Sequence, residues 1–302
     1  TVSYPEKTMA FNWESHREIT RRGLIGLDIT AMREIVDGNL SVDQGKLEKQ
    51  RAPHFDSESL SGGAAFIRDR LETASDALGV CDFQRARKMF GQALHTTQDF
   101  YSHSNWVEKN LSNPSASIDV TLVQDNGHAV RSSWIPSRCC QDMGRRDCQN
   151  LPLTTGFMVS DNLLWRKCTH NQMNKDSDKK KYFSQAVERA VEATRQIFKD
   201  FITNLVEQNG TERAQELIVA FVKGHDKTSS RLCSQKTVNV TCREQKADVL
   251  PHHVSDTVEQ IYESQLDDEL PADLYNLGNN ENIFVHSWFN FTGPQGLGHQ
   301  RG

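Results

Sequence analysis

The chain has 302 residues, 36% hydrophobic and 8% aromatic, enough to bury a sizeable core in one large domain or two smaller ones. Its net charge of −5, with Lys and Arg spread along the chain, leaves no basic footprint, so nucleic acid is an unlikely partner. It contains no apolar run of about 18 residues, so no membrane-spanning helix is expected.

Taken in order, the chain opens on Thr1 where an initiator Met would stand, which reads as a start left by removal of a leading segment. Residues 1–12 look extended. Asn12 or Ser15 then caps a helix expected from Glu14 to Val36, whose apolar residues Ile19, Leu24, Leu27 and Met32 recur at helical intervals. Gly23 and Gly26 weaken it, and Gly38 is expected to end it. Residues 37–61 read as irregular and contain Asp43, His54 and Asp56. A second helix is expected from Gly62 to Gly79, and a third from its cap Asp82 to Lys109.

The third helix carries the stretch Ala93 to Glu108, ALHTTQDFYSHSNWVE. His95, Asp99 and His103 stand four residues apart, so a helix puts them on one face. Imidazole and carboxylate in register are ordinary zinc ligands. The plainer alternative is a pair of half-buried histidines hydrogen-bonded to Asp99.

Residues 110–157 are loop-rich, with Ile118–Val123 as a short helix or strand, and 158–167 form a short apolar segment. Lys167–Asp178 is polar and holds His170, Asn174 and Asp176. A long helix is expected from Lys179 to Gln208, with a buried stripe of Phe183, Val187, Val191, Ile197, Phe198, Phe201 and Leu205. Gly210 breaks it, and Thr211 is expected to cap a further helix ending near Gly224. Helix signal returns at Ser255–Leu266, and Ile283–Phe291 reads as a strand or packed extension. The expected architecture is an all-α domain over 1–224 with a less regular C-terminal extension, 225–302, packed on it.

Cys139, Cys140, Cys148 and Cys168 cluster in one region, and Cys233 and Cys242 form a close pair. This pattern fits disulfides in a secreted or extracytoplasmic protein, with Cys81 left over. A thiolate zinc knuckle over 139–168 with His170 is the alternative.

His16, Asp43, His54, His95, Asp99, His103 and His170 make up the ligand inventory of a hydrolytic metal centre, drawn from elements a helical bundle can bring together. Read singly, each is also an ordinary core, capping or loop residue.

The stretch ALHTTQDFYSHSNWVE resembles the hallmark segment of the heterokaryon-incompatibility protein C (Het-C) family. IVDGNLSVDQ (35–44), PHFD (53–56) and KCTHNQMNKDS (167–177) resemble further segments of that family in the same order. The family in turn resembles the bacterial zinc-dependent phospholipase C enzymes, and this resemblance implies an all-helical bundle holding two or three zinc ions. It implies that His54, His95 and Asp99 hold one ion with Asp43, and that His16 holds another with Asp99 bridging. His103 and His170 would hold the last, closed by Asp176 in preference to Glu108 or Glu192, because Asn174 departs from the family's acidic position. The amine of Thr1 would complete the His16 site. Asp43 and Asp56 would be catalytic, with Asp56 as base or as a partner orienting His54, while Asn39, Asn105 and Glu108 would steady imidazoles. The implied function is a secreted phosphodiester hydrolase acting on phospholipid at a membrane surface, as a toxin or effector. The alternatives are a nuclease-like phosphoesterase, or a non-enzymatic toxin or interaction protein with structural metals.

Overall fold

The structure, a computed structural model, describes residues 11–109, 135–148, 151, 153–158 and 168–224. The chain divides into two units, Thr1–Arg243 and Glu244–Gly302, and all the described residues belong to the first. The expectations for Thr1, Ile118–Val123, residues 159–167, the Cys233–Cys242 pair and everything from 225 onward lie outside the described residues.

The described residues are helical, with no strand beyond two isolated bridges, Ser104 to Thr155 and Phe157 to Thr169. In chain order the helices are α1 Trp13–Gly23, α2 Ile29–Leu40, α3 Leu60–Gly79, α4 Phe83–His103, α5 Ser137–Gln141, α6 His170–Met173, α7 Phe183–Asn209 and α8 Thr211–Lys223. Short 3-10 turns at Ser41–Asp43, Ala52–His54 and Asp56–Glu58 connect α2 to α3. No described helix is long and apolar enough to cross a membrane.

The single helix expected over Glu14–Val36 is two helices. The Asn12 side chain caps α1 by accepting the Ser15 N–H. Gly26 turns the chain with a φ of +91°, and Asp28 starts α2 by accepting the Thr30 N–H. Two glycines and a new cap therefore outweigh the continuous apolar periodicity. Gly38 does not end a helix. It lies inside α2, where a Cβ would run into the Lys88 backbone, and Gly91 of α4 leaves equally little room against the Ile35 carbonyl. The two glycines let α2 and α4 touch backbone to backbone. Thr211 is the first residue of α8 and not its cap, a place taken by Gly210 at φ +74°.

α4 is the hub, packing against α2, α3 and α7. Its N-terminal half is apolar at the contact: the Phe90 ring meets Phe198, Phe201 and Phe221 at centroid distances of 5.9, 5.0 and 5.7 Å. The buried Arg87 ties this half to α8, pairing with Glu34 at 2.6 Å and donating to the Ala220 and Phe221 carbonyls. The C-terminal half, from Gln92 to His103, is wholly buried yet polar.

The cysteines form disulfides, Cys139–Cys148 and Cys140–Cys168, which excludes a thiolate zinc knuckle there. Cys81 is disulfide-bonded as well and is not the odd thiol expected.

Candidate metal centres

Two groups of imidazoles and carboxylates surround the C-terminal half of α4. The first draws His16 from α1, Asp43 and His54 from 3-10 turns, and His95 and Asp99 from α4; it contains the trios His16/His95/Asp99 and Asp43/His54/His95, which share His95. The second brings Asp56, His103 and His170 together, with Asp176 alongside. All eight ligand candidates of the two trios and the second trio are buried in the core.

In the first group Asp99 sits between three rings. Its Oδ1 is 3.2 Å from His16 Nε2, and its Oδ2 is 3.0 Å from His95 Nε2 and 2.9 Å from His54 Nδ1. His95 Nε2 is also 3.3 Å from His54 Nδ1 and 3.6 Å from Asp43 Oδ1. A tetrahedral zinc with bonds near ~2.0–2.1 Å keeps its ligand atoms about 3.3 Å apart, so these separations suit atoms gathered around an ion. In the second group, His103 Nε2 and His170 Nε2 face opposite oxygens of Asp176 at 3.7 and 3.8 Å.

The hydrogen-bond network sets which nitrogen each ring presents. His16 Nδ1 meets Gln98 Oε1 at 2.7 Å, and His95 Nδ1 meets Asn39 Oδ1 at 3.2 Å. His103 Nδ1 meets the His54 carbonyl at 2.6 Å, and His170 Nδ1 meets Asp56 Oδ1 at 2.8 Å. Each partner is an acceptor, so a neutral ring donates from Nδ1 and turns the Nε2 lone pair inward, as a metal ligand requires. The amides are fixed in turn: Gln98 donates to Thr20 and Thr194, and Asn39 donates to Thr20 and Gln98. The atoms left without a hydrogen-bond partner include His16 Nε2, Asp43 Oδ2, His54 Nε2, Asp99 Oδ1, His103 Nε2 and His170 Nε2. Burying each such atom unpartnered costs about 1–3 kcal/mol. Apart from His54, whose Nδ1 and not Nε2 faces Asp99 and His95, they belong to residues gathered in two places, the fit expected of cation-holding sites, and the coarser expectation of metal-binding clusters stands.

The electrostatics agree. Burial opposes ionisation of Asp99, yet the surrounding imidazoles, His95 and His103 foremost, hold its carboxyl well below the usual range. Burial likewise opposes the charged forms of His16 and His54, but Asp99 outweighs it and raises both. His95 is lowered, first by burial and then by His16 beside it, whose ring stacks on it at 4.1 Å. For His103, burial is overcome by Asp56, Asp99 and Asp176, which push it up to about 10.

Among the residues singled out from sequence, His16, Asp43, His54, His95, Asp99, His103, His170 and Asp176 come together in the two groups. Asp56 does not orient His54; it orients His170 and lies 3.4 Å from His103 Nδ1. Asp56/His103/His170 meet the spacing of a metal trio, but His170 Nδ1 already shares its proton with Asp56, so the Nε2 side facing Asp176 is the better ligand face. Glu108 pairs with Lys175 at 2.9 Å, and Glu192 pairs with Arg195 at 3.7 Å. Of the proposed steadying residues Asn39 holds an imidazole, whereas Asn105 accepts the Thr154 N–H. Trp106 is core, packed on Phe100 at 5.4 Å. Sequence reasoning missed Gln98, Thr20, Thr194 and Ser102, whose hydroxyl donates to Asp176 Oδ1 at 2.7 Å. The only signal for Thr20 was its place one turn after His16, and Gln98 carried none apart from its place beside Asp99.

Fold and site together define an all-helical domain with two buried histidine–carboxylate clusters around one helix. Residues 26–210, well over half of the chain, match the VWA7 N-terminal domain family, so the chain belongs to that family. Von Willebrand factor A domain-containing protein 7 of Homo sapiens is 46% identical over 61 residues, 20% of this chain and 7% of that protein. The Rattus norvegicus and Mus musculus proteins of the same name are each 46% identical over 55 residues, 18% of this chain and 6% of theirs. The matches thus span under a tenth of these relatives. No solved structure matches.

This membership overturns the Het-C resemblance, and with it the zinc-dependent phospholipase C bundle, the hydrolase assignment and the phospholipid or membrane partner. The likeness rested on the segment 93–108 and on the shorter segments 35–44, 53–56 and 167–177, whereas the family match spans residues 26–210 as a whole. The catalytic roles expected of Asp43 and Asp56 rested on that hydrolase assignment; both carboxylates are buried, each 3% exposed.

Proposed function

We propose that this chain is a zinc-braced helical module that works through contact with another protein, its metals being structural. The observation that carries this reading is the set of buried imidazole and carboxylate atoms that lack hydrogen-bond partners yet belong to residues gathered in two places. Mixed nitrogen and oxygen donors favour zinc among common structural ions. One ion takes its ligands from among His16, Asp43, His54, His95 and Asp99, which offer more donors than a tetrahedral shell needs, and the other is held by His103, His170 and Asp176, with Asp56 orienting their rings. Bound there, each ion supplies positive charge to a cluster of carboxylates and fixes elements that are far apart in sequence.

Residues 1–224 form the metal-holding domain and 225–302 a C-terminal extension. The module is exported or faces an oxidising compartment, a reading supported by its disulfides. Ile25 and Ile29, both exposed where α1 turns into α2, offer an apolar contact point for a protein partner. Thermal unfolding with and without a zinc chelator tests the structural role. Chelation is expected to lower the Tm by ten degrees or more, on the order of the loss of a folding-linked metal; an unchanged Tm would overturn the reading.

A further inference from the structure

The second centre gathers residues from four separate stretches: Asp56, His103, His170 and Asp176. Only His103 stands on a long helix, so something else must hold the others in register. The segment Thr154–Phe157 lies among them and bonds to three of the four stretches. Gly156 donates to the His103 carbonyl at 3.2 Å and accepts the Ser57 N–H at 2.7 Å. Phe157 donates to the Cys168 carbonyl at 2.9 Å and accepts the His170 N–H at 2.8 Å. Thr154 accepts the Asn105 N–H at 3.1 Å, and Thr155 Oγ1 accepts the Glu58 N–H at 2.8 Å.

Two further features mark this strap as a positioning device. A Cβ on Gly156 would stand 2.5 Å from His170 Cα and 2.9 Å from its backbone nitrogen, so the strap reaches the His170 backbone only because residue 156 has no side chain. The stretch it holds on the other side is strained: Phe55, Ser57 and Glu58 all have positive φ, at 54°, 55° and 59°. Such conformations cost of order 1–3 kcal/mol each and persist only where the surroundings impose them. Here they flank Asp56 and point its carboxylate at His170.

We propose that the Thr154–Phe157 strap is the positioning element of the second metal centre, with Gly156 its positioning residue. The inference rests on the metal reading above. These hydrogen bonds of the strap run to the stretches that carry Asp56, His103 and His170, so damage to it is expected to empty the second centre first.

The test uses the full chain loaded with zinc, with metal counted per chain and zinc affinity measured by competition with a chromophoric chelator. Gly156→Ala is expected to lose one ion per chain and keep the other, with its helical circular dichroism intact. Gly79→Ala, where a Cβ would meet nothing within 4 Å, is the control and should match the wild type. If Gly156→Ala does not fold, Thr155→Val decides: it keeps the shape and removes the acceptor for Glu58, and zinc affinity at the second centre should fall about tenfold. Unchanged stoichiometry in Gly156→Ala or, where that variant does not fold, unchanged affinity in Thr155→Val would overturn the proposal while leaving the metal reading intact. A wild-type chain that binds no zinc would overturn both.

Discussion

The two centres lie on the same helix and are built in different ways. The first takes its core from long helices: His16 comes from α1 and His95 and Asp99 from α4, all three side chains without exposure, and only Asp43 and His54 come from 3-10 turns. Helical periodicity alone places His95 over Asp99, and glycine-mediated contact between α2 and α4 brings Asn39 within reach of His95. The second is assembled by loops, and its ligands are pinned by other means: a disulfide at Cys168 two residues before His170, the strap through Gly156, and the buried Lys175 ammonium. Lys175 binds the Ser102, Ser104 and Met173 carbonyls together with Glu108, locking the turn that carries Asp176 to the end of α4. Where periodic structure supplies the geometry, ligands need only packing. Where it does not, covalent, steric and ionic pins replace it.

The contrast can be broken most severely at Asp99, the carboxylate between three rings. Asp99→Asn removes the carboxylate that meets His16, His54 and His95, and leaves those rings without it in a fully buried place. A loss of about 3–5 kcal/mol is expected, as when one partner of a buried charge pair is removed, together with the loss of metal from the first centre. Urea unfolding combined with metal analysis reads both. A stability within 1 kcal/mol of wild type, on the order of a surface substitution, would show that Asp99 is no hub.

A smaller effect is expected from the pin on the second centre. The paired Cys140→Ser and Cys168→Ser variant opens a cross-link spanning 28 residues. It should cost about 2–4 kcal/mol and release the ion from His103, His170 and Asp176 while the first centre keeps its own. Equal loss from both centres would erase the distinction between helix-held and loop-held ligands.

The smallest effect separates metal-free from metal-loaded protein. In the metal-free chain protonated His103 is stabilised by its carboxylates, so its folded pKa, about 10, lies above its ordinary 6.5. That contribution is fully present below 6.5 and is lost as pH rises through about 10. Asp99, held low, contributes stability above its ordinary 3.8 that disappears as pH falls through its lowered value. A metal-bound imidazole is neutral, so the loaded protein should show no loss between neutrality and pH 10 and should instead lose metal on acidification. The Tm measured from neutrality to pH 10 should fall with chelator and stay level without it; parallel profiles would contradict the assignment of His103 as a ligand.

Much of the first centre was legible in the sequence, because a spacing of four on a long amphipathic stretch fixes a shared helix face before any tertiary fact is known. The long helix α7 and the cap Asp82 were legible for the same local reasons. The break between α1 and α2 was not, since apolar periodicity runs through it and only the φ of Gly26 and the Asp28 cap divide it. Asp56 and Gly156 were illegible in their roles: Asp56 acts on His170, 114 positions away, and Gly156 reaches Ser57, His103 and His170, 99, 53 and 14 positions away, so no helical or strand period announces them. The family reading failed because it leaned on four short segments gathered around the ligand residues, while membership is decided over residues 26–210.

The most direct test of the central claim is elemental analysis of the full chain purified without chelator. Two zinc ions per chain are expected, one for each cluster around α4. A chain free of metal, yet folded and stable, would contradict the account and leave the two clusters as hydrogen-bonded cores.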